Sequence, residues 1–570
     1  MDLDKYRSAC GKLSLIVFWA TGCSQLLNHM LSSSEMALAD ALEGGGLTGW
    51  FVFFLLLLRR VSLVFSLTAV FGLFAVVAGL MRKQVTKSTA VPYLILLSSM
   101  VWAMISRFHS YDMKVSLFGY PGREEGWFAL LMYAGIFYLG TMLRRKADLE
   151  RFARGLMGFG IAQCVVGIVQ ALPVFDYLNP YKGLSPYRNI EPLLYWNVRV
   201  PTGMVASPIT YAMLLGMFGA VAVPAVLFSE EKKTRRRGAV CAFLSVVMML
   251  KTQTIAGVIA CCGLLLLTAI LFAAKGKQVQ GKKAAMPAVA AAALACGLGW
   301  VCLTPSINHA NFLPDRTESS TKEAGLTLTA WETAHADAEI PDGLMQRPTK
   351  ENKSYLALYD GGLIWDDSFY RLDTSGPYSL KLSEGLFDIY DASSVIRYCW
   401  NEGVKAIKID PLLGVGPDNF VYSQLHRSYL ISDHANSVDN PYNEYLYIAA
   451  TRGIPSLLMH IAVIFVSFVL MWKNRKTAKS WVKISAACAV ILYAAAAFTG
   501  MSVLTVAPVF WMLLGILAAE PIPETVKTAK AAPAEKKKPV SAEKQAEPVK
   551  AQEPAEQKQT KSAKKTKKKK

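Results

Sequence analysis

Two stretches of this chain hold residue types suited to chemistry at a membrane surface: Pro411-Leu-Leu-Gly-Val-Gly-Pro-Asp-Asn-Phe420 and Asn440-Pro-Tyr-Asn-Glu-Tyr-Leu446. They lie at the end of a long polar loop, just before an apolar run. Glycine, proline and aromatic residues at the lip of a membrane helix shape a site open to an aqueous phase, and Gly414 and Gly416 give the chain the freedom to turn tightly. Arg123, Arg199 and Arg397 stand at or near the predicted outer ends of helices. A guanidinium is planar, stays charged and grips phosphate oxygens in pairs. Such residues suit an anionic lipid headgroup while a polar acceptor approaches from water. Arg123 has a second reading as the partner of Glu124 or Glu125, and Arg397 as the anchor of a surface helix. The chain has no Gly-x-x-x-x-Gly-Lys-Ser/Thr, His-Glu-x-x-His or Gly-x-Ser-x-Gly pattern, which removes the phosphate-loop, zincin and nucleophile-elbow chemistries. Ionisable residues within the apolar runs are few, which argues against an ion-coupled transporter.

The elements that must position these residues are apolar. Hydrophobic residues make up 53% of the 570 and charged residues only 18%, against about a quarter charged in a soluble chain. Mean hydropathy is +0.30. The apolar residues gather into runs near the roughly 20 residues that cross a bilayer. Twelve spans are predicted, at about 11–31, 48–81, 90–106, 126–143, 155–173, 203–228, 238–250, 252–273, 284–304, 446–472, 484–500 and 502–519. The second is interrupted by Arg59 and Arg60, so 48–60 is expected along the interface and 61–81 across the bilayer. The seventh is short enough to be half of a broken helix. The expected fold is an all-α polytopic membrane protein.

Basic residues set the orientation. The stretches 82–87, 144–146, 232–237, 275–283 and 473–483 fall between alternate spans, and so on one side, which an excess of Lys and Arg marks as cytoplasmic. Both termini then lie on that side too; ten or eleven spans with one end flipped is the alternative. The first run holds Cys, Gln and Asn, lacks a small-x-small cleavage site and leads into further spans, so it is not expected to be a cleaved signal. Residues 1–304 carry spans one to nine, 305–445 a large outer loop, 446–519 the last three spans and 520–570 a tail. The aromatic residues of the large loop predict a small folded cap with short strands within 326–392, and 394–408 reads as an amphipathic surface helix. The tail has 15 Lys and 7 Glu, a net +8 of the total +19. It cannot bury a core, is predicted disordered, and is expected to lie near anionic membrane lipids; the charge is therefore no sign of nucleic-acid binding. Most of the ten cysteines sit in apolar spans as small hydrophobes. Only Cys302 and Cys399 lie at or beyond the outer face, where a disulfide between them stays open. No metal-knuckle spacing occurs.

These residues resemble the O-antigen ligase and polymerase family of bacterial membrane glycosyltransferases. The resemblance covers most of 90–519 and concentrates in a few motifs. Arg397 and Trp400 followed by Pro411 to Phe420 is similar to the family's Arg and Trp ahead of Pro-x-x-Gly-x-Gly-x-x-x-Phe. Asn440 to Leu446 with Arg452-Gly-Ile454 resembles the family's Pro-His-Asn-x-Tyr-Leu segment. Phe118 to Gly126, and Arg199-Val-Pro-Thr-Gly203 with Ser207-Pro208, resemble two further motifs. Two positions depart from the family: Tyr442 stands where it has His, and Ile255, in Thr252 to Gly257, where it has Arg.

The resemblance implies transfer of a glycan from undecaprenyl diphosphate to an acceptor hydroxyl on a glycan, lipid or protein, at the outer face of the bacterial cytoplasmic membrane, without metal or cofactor. Cations take the charge that develops on the diphosphate, which gives Arg123, Arg199 and Arg397 the donor role. A base near neutrality takes the acceptor proton. Tyrosine, with an unperturbed pKa of about 10, is a poor base there, so His434 is expected in that role, with His426 behind it. Tyr442, Asn443 and Glu444 are then sugar-binding candidates, Asn443 and Glu444 alternatively capping the next helix. Two rivals stand beside this reading. A C-type membrane glycosyltransferase uses a carboxylate in its first outer loop, where this chain offers Glu35, Asp40 and Glu43. A non-catalytic protein of envelope polysaccharide assembly or export would need neither missing residue.

Overall fold

The computed structural model describes residues 3–31, 46–120, 123–172, 200–252, 254–275, 357–359, 362–365, 368–371, 399–400, 402–425, 440–476 and 480–522. Its elements in chain order are α1 (Leu3–Leu31), α2 (Gly46–Leu58), α3 (Val61–Met81), α4 (Lys87–Arg107), α5 (Met113–Phe118), α6 (Trp127–Thr141), α7 (Lys146–Ala171), α8 (Pro208–Phe228), α9 (Lys232–Lys251), α10 (Ile255–Lys275), β1 (Ala357–Tyr359), β2 (Gly362–Trp365), β3 (Ser368–Arg371), α11 (Phe420–Leu425), α12 (Glu444–Lys473), α13 (Trp481–Ala496) and α14 (Ala507–Ala518). Residues 402–409 are also helical. The three strands form an antiparallel sheet in which Leu358 faces Leu363 and Leu363 faces Tyr370. Among the described residues six helices, α1, α3, α4, α7, α8 and α12, are long and apolar enough to cross a membrane; α6, the stretch Ala256–Phe272 within α10, α13 and α14 are apolar but shorter. The span predicted over 284–304 and the tail beyond Ile522 lie outside the described residues.

Local chemistry explains where the helices begin and break. A single helix over 46–81 would run about 54 Å, nearly twice the hydrocarbon core. It divides at Arg59-Arg60, and the carbonyl of Leu58 accepts a hydrogen bond from Ser24 Oγ at 2.7 Å. Thr86 with Thr89 and Ser207 with Thr210 form capping boxes at the starts of α4 and α8, and Pro208 takes the first position of α8, where a missing N–H costs nothing. Helices α6 and α14 touch backbone to backbone: a Cβ on Gly515 would lie 2.1 Å from the carbonyl oxygen of Phe137, and one on Gly140 2.4 Å from that of Met512. Small residues let helices approach this closely. Helix α8 is the centre of the bundle, with 89% of its apolar window buried against 22% for α3. Outward, α3 exposes Leu67, Phe71, Phe74 and Val77, and α12 exposes Leu458, Ile461 and Phe465. Exposed apolar faces of this kind suit lipid and not water.

One end of the bundle gathers basic residues. Arg144 Nη2 donates to the carbonyl of Gln84 at 2.7 Å, and Arg7 Nη2 to its side chain at 2.8 Å. Arg145 pairs with Asp4 at 2.7 Å, Arg154 with Glu231 at 2.8 Å, and Lys483 Nζ donates to the carbonyl of Ala519 at 2.6 Å. The short loops after α3, α6 and α8, the start of α13 and the end of α14 are therefore each tied by a basic side chain in a contact of this kind. At the other end lie the loop 108–126, the 411–420 turn, the start of α12 and the 497–506 connection.

Candidate functional site

Helix α12 is two helices joined at Gly453, whose φ of 77° and ψ of 164° are non-helical. Pro455 follows and lacks an N–H, so the carbonyl of Thr451 has no helical donor; Ser106 Oγ of α4 donates to it instead, at 3.2 Å. The 411–415 segment joins the break from the other side. Ile454 N donates to the carbonyl of Pro411 at 2.8 Å, and Val415 N to the carbonyl of Ala450 at 2.9 Å. The one bond that a continuous helix would make between them, from Ile454 N to the Ala450 carbonyl, is thus replaced by two bonds to the turn. Gly414 and Gly416, at φ of 71° and 100°, give that turn its path, and a Cβ on Gly416 would lie 2.2 Å from Ser110 Cβ.

The turn delivers Asp418, itself at a φ of 56°, an uncommon conformation for a residue with a Cβ. Three hydrogen bonds and one ion pair meet at its carboxylate. Tyr120 N and Glu125 N donate to Oδ2 at 2.6 and 3.1 Å. Tyr447 donates its hydroxyl to Oδ1, and Arg123 Nε lies 3.3 Å from the same oxygen. Neighbouring Asn419 fixes the turn to the 108–126 loop through Asp112 N at 2.8 Å and Ser116 Oγ at 2.8 Å.

Arg123 is enclosed, only 3% exposed. Beyond Asp418, its Nη2 lies 3.4 Å from Glu125 and its guanidinium stacks 4.0 Å above the Tyr447 ring. Glu125 accepts hydroxyl donors as well, Tyr133 and Ser502, each at 2.6 Å on Oε1. Burial pushes the Glu125 carboxyl above its ordinary range, against the opposing pull of Arg123 and the two hydroxyls. Glu124 turns away and accepts Ser62 N at 2.9 Å.

The 440–446 segment closes the site. Asn440 Oδ1 accepts Tyr442 N at 2.8 Å, which holds Tyr442 at a φ of 46° and half-buried. Asn443 caps α12, accepting Tyr445 N and Leu446 N at 3.0 and 3.1 Å. Glu444 is buried, and its Oε2 accepts the Tyr493 hydroxyl at 2.7 Å. Arg452, eight residues on, has Tyr447, Glu125, Glu444 and Asp418 as its electrostatic neighbours.

The structure thus brings Arg123, Gly414, Gly416, Asn443 and Glu444 together, with Tyr442 at the rim. Arg199, Arg397, His426 and His434 lie outside the described residues. Asp418, Glu125, Tyr447, Tyr493, Ser502 and Arg452 belong to the site without having been singled out as site residues from sequence. The available signal was charge: Asp418 and Arg452 interrupt otherwise apolar motifs, and ionisable groups at membrane level mark function by default. Ile255, at the second departing position, opens α10, and buried Lys251 closes α9 beside it. No family model matches the chain, and no curated protein matches it.

Proposed function

We propose that the chain is an O-antigen ligase-like membrane glycosyltransferase. It moves a glycan from an undecaprenyl-diphosphate donor to the hydroxyl of a glycan, lipid or protein acceptor, in cell-surface polysaccharide or glycoconjugate synthesis. One observation carries this reading. The segments that resemble the family's motifs, 118–126, 411–420 and 440–454, are distant in sequence yet meet in a single buried charged cluster at one end of an apolar helical bundle.

The proposed topology has twelve spans with the basic loops and both termini in the cytoplasm, which the clustering of Arg and Lys contacts at one end supports. Residues 305–445 and the charged cluster then face outward from the cell membrane, and the basic tail meets anionic lipids inside. Arg199 and Arg397 join the site as donor-binding cations. Tyr442 and Asn443 line the acceptor side. The chemistry needs neither cofactor nor metal, because a diphosphate is a good leaving group once its charge is met.

Reconstitution tests the reading. The purified protein in liposomes, with a lipid-diphosphate glycan, candidate acceptors and no divalent metal, should yield glycosylated acceptor and free lipid diphosphate. Extension of the donor glycan itself would make it the family's polymerase. Tyr442 in the family's histidine position favours one other reading, a non-catalytic assembly or export protein. Donor binding without turnover on any acceptor would establish that reading and overturn ours.

A further inference from the structure

The three carboxylates of the cluster are not equivalent. Asp418 has both oxygens filled, by two backbone N–H groups on one and by Tyr447 and Arg123 on the other. Glu125 likewise has Tyr133 and Ser502 on one oxygen and Arg123 on the other. Glu444 has a donor on Oε2 alone, and among the described residues nothing donates to its Oε1. The two guanidinium groups divide in the same way. Arg123 sits between Asp418 and Glu125 and over the Tyr447 ring, whereas Arg452, among the described residues, makes no hydrogen bond and no ion pair. A guanidinium carries five donors, and among the described residues none of those of half-buried Arg452 is engaged. Glu444 and Arg452 are eight residues apart on one short helix, about 12 Å along its axis. That span suits a sugar between an acceptor hydroxyl and a phosphate group. The break at Gly453 is what leaves Arg452 at the end of that helix.

Resting on the proposed transferase reading, we propose that Glu444 and Arg452 are the working pair of the site, and that Arg123, Asp418 and Glu125 form the frame that holds them. The acceptor oxygen attacks the anomeric carbon of the donor glycan and forms the new glycosidic bond. The bond from that carbon to the diphosphate oxygen breaks, its electron pair leaving with the diphosphate, whose charge Arg452 meets. The acceptor proton passes to Oε1 of Glu444. This assigns to a buried carboxylate the task that the sequence alone directs to His434.

Two measurements on the reconstituted full chain test the pair: binding of undecaprenyl diphosphate carried in neutral vesicles, and transfer from a lipid-diphosphate glycan. Glu444→Gln should bind like wild type and transfer at least a hundredfold more slowly, the scale of general-base removal at roughly 10²–10⁴-fold. Arg452→Ala should lose binding at least tenfold, and Arg452→Lys should recover only part of it. Transfer by Glu444→Gln within tenfold of wild type overturns its role. So does a joint loss of binding and transfer, which would assign Glu444 to the fold. Wild-type binding by Arg452→Ala overturns the other half. A wild-type protein that binds the lipid but never transfers overturns the transferase reading and Glu444's role with it, and leaves the binding arm to decide Arg452.

Discussion

Replacing Gly453 with alanine is the sharpest test of the broken helix. An added Cβ would lie 1.9 Å from the carbonyl oxygen of Leu412 and 2.4 Å from its carbon, both backbone atoms that cannot rotate away. The conformation at φ 77°, ψ 164° is essentially reserved to glycine, and holding another residue there costs about 1–3 kcal/mol. Relief of the clash moves the 411–413 segment and breaks the bonds from Ile454 N to Pro411 and from Val415 N to Ala450, each worth about 1 kcal/mol. The sum is roughly 3–5 kcal/mol of destabilisation. An unbroken helix predicts the opposite sign, since alanine exceeds glycine by about 1 kcal/mol in a helix interior. The assay is the unfolding midpoint of purified protein in detergent, followed by tryptophan fluorescence. For a chain of this size the expected fall is on the order of 5 °C. A midpoint equal to or above wild type would show that α12 does not depend on the break, and would remove the basis for Arg452's position.

Three further outcomes follow from the same structure. Arg123→Met leaves Asp418 and Glu125 uncompensated in a buried setting, at about 3–5 kcal/mol, and should abolish monodisperse protein on size exclusion, whereas Arg123→Lys should fold yet transfer poorly; full activity of the lysine variant would remove Arg123 from the site. His434→Ala should keep transfer within tenfold if Glu444 takes the proton, and a hundredfold loss there, with Glu444→Gln active, would return the base to the loop. Single cysteines at positions 320 and 541 should respond oppositely to an impermeant thiol reagent on intact cells, 320 labelled and 541 protected; labelling at 541 would overturn the topology.

The long apolar runs are legible because bilayer thickness sets a minimum length for a crossing helix, and α1, α3, α4, α7, α8 and α12 reach it. The division at Arg59-Arg60 was readable for the same reason, since two adjacent arginines end any apolar run. Hydropathy predicts one span over 203–228, whereas helix begins at Pro208. The preceding residues instead bind side chains of α7: Thr202 N and Gly203 N donate to Gln170 Oε1 at 3.0 and 2.7 Å, a tertiary demand that hydropathy does not register. Hydropathy locates the end of α12 at Lys473 to within a residue, but not its break, although Gly453 and Pro455 stand in the sequence. Periodicity carries through a single interruption, and only the partner turn at 411–415 shows that the break is used. The site was half legible. Arg123 stands out as a guanidinium at the outer end of a helix, and Glu444 as a polar residue of the 440–446 segment that resembles a family motif. Which cation is occupied and which is open depends on pairings across nearly 300 residues, and no spacing rule reaches that far.

The pairing of Arg123 with Asp418 has a consequence for how the protein is made. The two residues are 295 positions apart, and synthesis runs at roughly 5–20 residues per second. Arg123 therefore emerges some 15–60 seconds before the carboxylate that will neutralise it. During that interval the nascent bundle holds a cation whose final surroundings are closed to water. Glu125, two residues away, is the one acidic partner of the finished cluster already synthesised. It is the one carboxylate of the cluster within reach until the 411–420 turn is made, so the cluster cannot close before the last third of the chain is synthesised.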